Sequence, residues 1–487
     1  MQGEFRADVT RDSFDELRQV RRVLFHQGGV LVDAHLNEQV SVLLTYLEKL
    51  AEDIIGPHGG PTNRWGFKIN NVVGSTTDFK IGVGRYYIDG VLCENAKDCK
   101  YESEQPDYAP DQENELAQDG TYLVYLDVFE RSVAAPIEPA LGNVEPTSRA
   151  RLVWQVKAMK VKLSGSPLKI ENVDLGDLGL TSEEKIVLFE IARRSDIDVS
   201  SATNKFRSAI RLLGLPAMNA RARQDSATST PCLLPAEARY RGPENQLYRV
   251  EIHQSGLAQE ALDEPPATIK WSRENSSVVF PVVGDITSAN GLTTVEVAHL
   301  GRDAKLCLSN DDWVEVVTDE DRRHARPGQL LRVLNIDRDR FQVTLNGLAM
   351  AAGTNSGSKH PILLRWDHQG EDLVGGGIPV KEGDVIALED GIEITFEKAA
   401  TGNGHWYRSG DYWLIPARVA TGDIEWPRML GADGSVNLNP DKFPNGSAQG
   451  PHGVVHHYAP LAFVKTPINK ANDITDLRKK FDARGTP

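Results

Sequence analysis

The segment FKIGVGRYYIDGVLCEN (residues 79–95) decides the fold class of this chain. Its apolar residues alternate with polar ones in short runs, and a period of two is typical of strands with one buried face. Asp89-Gly90 separates two such runs and supplies the positive φ angles that a tight hairpin turn requires. The segment therefore predicts a β hairpin.

The same pattern continues outward from this hairpin. Short apolar or alternating runs recur at residues 67–73, 121–133 and 151–163, and again from residue 245 onwards between turns rich in Asp, Pro and Gly. We predict a mainly β protein with helical segments, of the α+β class. An N-terminal arm and helix precede two or more antiparallel β domains of the sandwich or barrel type.

Two segments indicate helices instead. Between residues 36 and 55 the apolar residues recur at spacings of three and four, which predicts one apolar helix face that ends at Gly56-Pro57. This face consists of Leu36, Val40, Leu43, Leu44, Leu47, Leu50 and Ile54. A capping box of Thr181 and Glu184 precedes a second helical run, and residues 204–216 predict a third.

These patterns divide the chain into five predicted parts. Residues 1–60 form a docking arm and helix, and residues 61–165 form the first β domain. Residues 166–235 are a helical connector and linker. Residues 236–425 form a second β region with room for two small β domains, and residues 426–487 form a C-terminal segment.

The composition excludes several classes of function. A formal net charge of −15 disfavours binding to phosphate backbones, so we predict no nucleic-acid partner. No apolar run approaches the ~20 residues of a membrane span, and no basic segment followed by an apolar one indicates a signal peptide. We therefore expect a protein that is made in the cytoplasm and does not span a membrane. The 4 cysteines are too few and too scattered for a disulfide framework.

The first 35 residues are a polar arm rich in Arg and Asp. A Gly28-Gly29 break interrupts the arm, and its one short apolar patch is Val23, Leu24 and Phe25. Such a segment cannot bury enough apolar surface to fold alone. We expect it to lie along another surface, which indicates assembly rather than catalysis.

The arm resembles the N-terminus of a family of uncharacterised proteins found with contractile injection systems and phage-tail-like particles. The matching residues are Gly3 to Phe5, Thr10 to Asp15, Arg22 to Gln27 and Asp33 to Gln39. Similar blocks continue along most of the chain, from GRYYIDGVLCEN (84–95) to PHGVVHHYAPLAFV (451–464). The chain departs from the family pattern at Leu36, where the family has a tryptophan.

This resemblance implies a structural part of a tail-like machine, at or near the baseplate or as a fibre attached to it. The arm and first helix would dock on other baseplate or tail proteins or on sister copies, as a homo-oligomer of three- or six-fold symmetry. The particle would be cytoplasmic, membrane-attached or released. Aromatic anchors and Arg–Asp pairs fix the register of such contacts. The predicted docking residues are Phe5, Arg11, Asp12, Phe14, Arg22, Phe25 and Asn37.

Signatures of catalysis and of metal binding are weak. His452, His456 and His457 form the densest histidine group, but His456 and His457 would point to opposite faces of a strand, so at most one of them could join His452 in a metal site. A metal would need a further ligand such as Asp423 or His405. The chain has no Gly-x-Ser-x-Gly turn for a nucleophile, and its glycine runs lack the Lys-Ser or Lys-Thr of a phosphate loop. We predict a protein that is not an enzyme and holds no cofactor or metal.

One aromatic cluster has two interpretations. Trp406, Tyr407, Tyr412 and Trp413 lie within eight residues, and such a cluster could form a platform for a cell-surface glycan. Trp and Tyr fit the core of a β domain equally well. The alternative functions are therefore a receptor- or glycan-binding tail fibre and a tail-borne glycan hydrolase.

Overall fold

The strands follow the alternation of the sequence, and the predicted fold class, mainly β with few helices, is confirmed. The computed structural model describes residues 6–108, 115–133, 148–163, 169–170, 173, 182–195, 216–223, 240–258, 265–303, 305–324, 326–349, 360–370, 373–399, 404–427 and 448–482. Within these ranges the α-helices are α1 (Asp33–Ile55), α2 (Ser182–Arg194) and α3 (Asp319–Arg323).

The strands fall into three groups along the chain. Those between α1 and α2 are β1 (His58–Pro61), β2 (Ile69–Asn71), β3 (Phe79–Ile81), β4 (Gly84–Ile88), β5 (Val91–Asn95), β6 (Cys99–Lys100), β7 (Gly120–Val133) and β8 (Arg149–Lys160). Those that follow α2 are β9 (Met218–Ala222), β10 (Gln246–Gln254), β11 (Gly256–Leu257), β12 (Thr268–Ser272), β13 (Val279–Pro281), β14 (Thr287–Ala289), β15 (Leu292–Glu296), β16 (Trp313–Val317), β17 (Gln329–Asp337), β18 (Gln342–Asn346), β19 (Ile362–Trp366), β20 (Ile378–Pro379), β21 (Val385–Ala387), β22 (Ile392–Phe396), β23 (Trp406–Tyr407), β24 (Tyr412–Arg418) and β25 (Asp423–Ile424). The last group is β26 (His457–Thr466), β27 (Ile474–Asp476) and β28 (Lys480–Phe481).

Strands from both ends of the chain build the first β unit. One sheet has the order β27-β26-β7-β8, a second has the order β28-β1-β4-β5, and β2, β3 and β6 form a third. Tyr86, Leu126 and Leu461 meet in the core of this unit. The sequence predicts residues 426–487 as a separate segment, whereas its strands complete sheets that begin near residue 58, because sheet pairing joins partners distant along the chain.

The predicted hairpin at Asp89-Gly90 is confirmed. Ile88 of β4 pairs with Val91 of β5 in an antiparallel ladder. Asp89 has a φ of 48° and Gly90 a φ of 79°, which are the two positive angles of a primed two-residue turn.

The second β unit is built from a five-stranded sheet of order β20-β12-β10-β24-β25 and a three-stranded sheet of order β21-β22-β9. Their side chains share one core, which includes Val250, Phe396 and Trp413. Strand β9 lies where the sequence predicts linker. It forms because its alternate residues are buried and its backbone pairs with β22.

The third β unit is one seven-stranded antiparallel sheet of order β13-β19-β16-β17-β18-β15-β14. The sheet curls until Val282, just after β13, pairs with Val297, just after β15. The curled sheet therefore encloses a core of its own, with Phe280, Val333 and Leu363 inside.

Some predictions fall on residues outside the described ranges. These are the docking residue Phe5, the capping residue Thr181 and the helix at residues 204–215. Within the described ranges, none of the helices combines the length and the apolar character that crossing a membrane demands.

Candidate docking surface

Helix α1 rests on the first β unit at the turn between β4 and β5. Gly90 lies so close to α1 that a Cβ atom at this position would overlap the carbonyl oxygen of Glu48. Ala34 and Val42 are the buried residues of the described helix. The helix ends at Gly56, whose N–H donates to the carbonyl oxygen of Glu52 at 2.7 Å. One narrow side of α1 is therefore held against the body.

The carboxylate of Asp89 fixes the turn beneath α1. It accepts hydrogen bonds from Arg194 of α2, at 2.6 to 2.9 Å, and from Nδ1 of His457 at 2.8 Å. Burial acts to raise the pKa of Asp89, but the hydrogen bonds and positive charge of His457 and Arg194 outweigh burial and lower this pKa to about 2. Asp89 is therefore ionised at neutral pH and ties the turn to α2 and β26.

The outward side of α1 is apolar and exposed. Its large apolar side chains are 44% to 72% exposed, with Leu50 the least exposed and Ile54 the most exposed. The exposed residues are Leu36, Val40, Leu43, Leu44, Tyr46, Leu47, Leu50 and Ile54. Contiguous exposed apolar surface of this kind marks interaction sites on soluble proteins. The sequence predicts the apolar face, but the structure adds that the face lies away from the core.

The N-terminal arm runs from the second β unit to α1. Near its start, the carbonyl oxygen of Ala7 accepts a hydrogen bond from Asn275 at 3.0 Å. Further on, the backbone N–H of Thr10 donates to Asp33 of α1 at 2.8 Å, and the hydroxyl of Ser13 donates to Glu38 at 2.6 Å. The arm thus contacts its own chain and braces α1 against the second β unit.

The predicted docking residues lie at different places along this arm and, for Asn37, in α1. Arg11 pairs at 3.1 Å with Glu425, the residue that follows β25, and both side chains are more than one-third exposed. Asp12 accepts a hydrogen bond from the N–H of Phe14 at 3.1 Å, and Phe14 is partly buried. Arg22 and Phe25 are exposed, and Asn37 is partly buried.

A buried ionic cluster joins the arm to the second and third β units. Nζ of Lys270, on β12, lies 2.7 Å from Glu315 of β16 and 3.3 Å from Glu251 of β10. Glu251 also pairs with Arg249 at 2.6 Å and with Arg6 of the arm at 2.9 Å. Burial opposes ionisation of Glu251, but the charges of these three cations hold its pKa well below its usual range. Sequence reasoning missed this cluster because its members are scattered along the chain and carry no common motif.

Next to this cluster, His368 links the stability of the fold to pH. Its side chain is 1% exposed, and Nε2 donates a hydrogen bond to the carbonyl oxygen of Gly376 at 2.7 Å. Burial lowers the pKa of His368 from 6.5 to about 4, although the hydrogen bond to Gly376 acts to raise it. The folded protein therefore excludes a proton that the unfolded chain binds.

We expect neutral His368 to contribute fully to the free energy of unfolding above pH 6.5, and this contribution to be lost as the pH falls toward 4. At pH 5 the loss is on the order of 2 kcal/mol. Urea unfolding should show that the wild type loses stability between pH 7.5 and pH 5. In a His368→Gln variant the loss between these two pH values should be smaller by about 2 kcal/mol. Equal drops in the two proteins would contradict the assignment.

The aromatic cluster lies largely in the core of the second β unit. Tyr407, Tyr412 and Trp413 are at most 1% exposed, whereas Trp406 is only partly buried. The rings of Tyr407 and Trp413 pack edge-on against Phe396, with centroids 5.4 and 5.5 Å away. Three of the four rings therefore have no face open for stacking on a sugar.

The histidines considered as metal ligands bind different partners. Nδ1 of His456 lies 2.6 Å from Asp127, whereas His457 binds Asp89. His452 is exposed and lies beside Tyr412. In the part of the chain that the structure describes, no group of three or more His, Cys, Asp or Glu side chains could hold a metal ion.

Comparison with known proteins assigns the chain to a family. A search of curated proteins and a search of solved structures returned no match. The model of one family, described as a family of unknown function (DUF6519), matches residues 1–174 and 191–467. These two segments cover most of the 487 residues, so the chain belongs to the DUF6519 family.

Proposed function

We propose that this chain is a non-catalytic structural component of a contractile injection system or phage-tail-like particle, and that it docks at or near the baseplate through its arm and α1. The observation that carries the proposal is the apolar outward side of α1, whose large side chains are 44% to 72% exposed. An interface that buries this face would remove it from water. The particle is proposed from the resemblance of the N-terminal sequence.

The way in which α1 is held supports a docking role. The Asp89-Gly90 turn supports one side of the helix, and the arm connects its first turns to the second β unit. The apolar face is therefore presented in a fixed orientation before any partner binds. Preorganisation of this kind lowers the entropy that association must overcome.

The proposal is tested by the incorporation of the protein into particles. In cells that produce the particle, the tagged full-length chain should sediment with sheath and tube proteins, and a Leu43→Glu/Leu47→Glu variant should be lost from that fraction. Val73→Glu is the matched control, because Val73 is 97% exposed and lies outside α1. Normal incorporation of the double variant would overturn the docking role.

A glycan-binding fibre would need aromatic faces that are open to the ligand. Among the four aromatic residues of the cluster, Trp406 alone leaves part of its side chain exposed. Binding of the full-length protein to a glycan array, lost in a Trp406→Ala variant of unchanged stability, would favour that function over the structural one.

A further inference from the structure

The exposed residues of α1 follow a heptad repeat. Six of them are separated by alternating steps of four and three residues, which places leucine at each d position and Val, Leu and Ile at the a positions. We call these residues the α1 seam: Leu36, Val40, Leu43, Leu47, Leu50 and Ile54. All six are exposed, by 44% to 72% of their surface. The seam is roughly 27 Å long at 1.5 Å per residue.

We propose that the α1 seam binds the α1 seam of a second copy of this chain, in a parallel two-stranded coiled coil. The choice of residues favours this arrangement, because β-branched residues at a and leucine at d favour parallel dimers. Val40 and Ile54 are β-branched a residues, and every d residue is leucine. This inference rests on the proposed docking role of α1 and names its partner.

The body of the protein leaves the seam accessible. The buried residues of α1, Ala34 and Val42, lie at b and c positions, on the side opposite the seam. Gly90 supports the same inner side through its close approach to Glu48, another b position. The helix is thus already formed and oriented before a second copy binds. A seam of fewer than three heptads can therefore suffice, since association does not include helix formation.

The flanks of the seam suit self-association in an acidic protein. With a net charge of −15, two copies repel each other unless they meet at a neutral surface. The six e and g positions beside the seam include one charged residue, at the C-terminal end of α1. These positions are Asn37, Gln39, Leu44, Tyr46, Ala51 and Asp53. Between Leu36 and Lys49 no e or g position is charged, so no like charges face each other across these flanks.

The apolar area matches the requirement of a stable dimer. The arm adds exposed Leu24 and Phe25 beside the seam, because the N–H of Val23 donates to the side chain of Gln39 at 2.9 Å. A half-exposed side chain of leucine size offers about 30–60 Å² of apolar surface. The seam, its apolar flanks and this arm patch together offer on the order of 500 Å² per copy. A standard interface buries about 800 Å² per partner, and about 60% of this area is apolar. The apolar area that each copy offers is therefore close to that of a standard interface.

The test measures the mass of the full-length protein in solution. We expect sedimentation equilibrium to give a dimer at micromolar concentration. In a Leu47→Glu variant the dissociation constant should rise on the order of 100-fold or more, because each copy would place a carboxylate in the seam. Val73→Glu, which adds the same charge outside α1, should remain dimeric. A wild-type monomer, a stoichiometry other than two, or a Leu47→Glu dimer of unchanged affinity would overturn the proposal.

Cross-linking tests the parallel register. Identical a positions face each other in a parallel coiled coil, so the thiols introduced by Val40→Cys should form a disulfide between copies under mild oxidation. Glu52→Cys lies at an f position on the same helix and should give no more cross-linking than the wild type. Equal cross-linking of the two variants would overturn the parallel arrangement.

The two proposals fail separately. If the purified chain is monomeric but enters particles through α1, the self-association is wrong and the docking role stands. If the chain is dimeric but is absent from particles, the docking role in the particle is wrong and the self-association through α1 stands.

Discussion

Replacing Lys270 by methionine is expected to lower the free energy of unfolding by about 3–5 kcal/mol, the range for a buried ion pair that loses one partner. The ammonium of Lys270 lies 2.7 Å from Glu315, and both side chains are at most 3% exposed. Without this cation, Glu315 keeps hydrogen bonds from Trp366, at 2.9 Å, and from the N–H of Gly328, at 2.9 Å, but has lost its strongest countercharge. Methionine retains the length of the side chain, so the loss reports mainly on charge. Urea unfolding measures it.

Two further variants make this result specific. Lys80→Met removes an exposed ion pair with Asp98, in which both side chains are more than 40% exposed, and should change stability by less than about 1 kcal/mol. Lys270→Met/Glu315→Gln removes both charges and should recover part of the loss, because a neutral amide is less costly to bury than an unpaired carboxylate. If Lys270→Met is as stable as Lys80→Met, the cluster does not hold the second and third β units together.

Trp413→Ala should destabilise the second β unit by about 3–5 kcal/mol, the usual range for a large buried aromatic. The side chain is 0% exposed, its ring packs against Phe396, and its Nε1 donates to the carbonyl oxygen of Gln449 at 2.8 Å. The alanine variant would leave a cavity and would remove one of the two hydrogen bonds to this carbonyl oxygen, which also accepts from the N–H of Met218 at 2.9 Å. Thermal and urea unfolding of the full-length protein measure the change.

Trp406→Ala is the matched comparison for Trp413→Ala. Trp406 is only partly buried, and its Nε1 has no hydrogen-bond partner among the described residues. Its removal should therefore lower stability by clearly less than removal of Trp413. A Trp413→Ala protein as stable as the wild type would refute the core assignment and return the cluster to the glycan-binding interpretation.

The sequence predicts the secondary-structure elements that are determined by residues close together along the chain. The Asp89-Gly90 hairpin follows from two residues that tolerate positive φ, and α1 follows from apolar spacing that ends at Gly56-Pro57. The predicted helix 36–55 and the observed helix Asp33–Ile55 differ by three residues at the N-terminus. The mainly β class follows in the same way from alternation along the strands.

The sequence does not reveal features that depend on distant partners. An apolar helix face usually indicates a core contact, and only the structure shows that the face of α1 lies outside. Lys270 and Glu315 are 45 residues apart, and neither position has a local signal for an ion pair. The sequence does not predict strand β9 for the same reason, because its partner β22 lies far along the chain.

The return of β26 to the first β unit sets the order of folding during synthesis. The hydrogen bond between His456 and Asp127 spans 329 residues. At roughly 5–20 residues per second, a ribosome needs on the order of 15–65 s to make that stretch. Throughout this time the edge of β7 that pairs with β26 has no native partner, and unpaired edges invite aggregation. The second and third units can fold in the interval, and their folding shortens the loop that β26 must close.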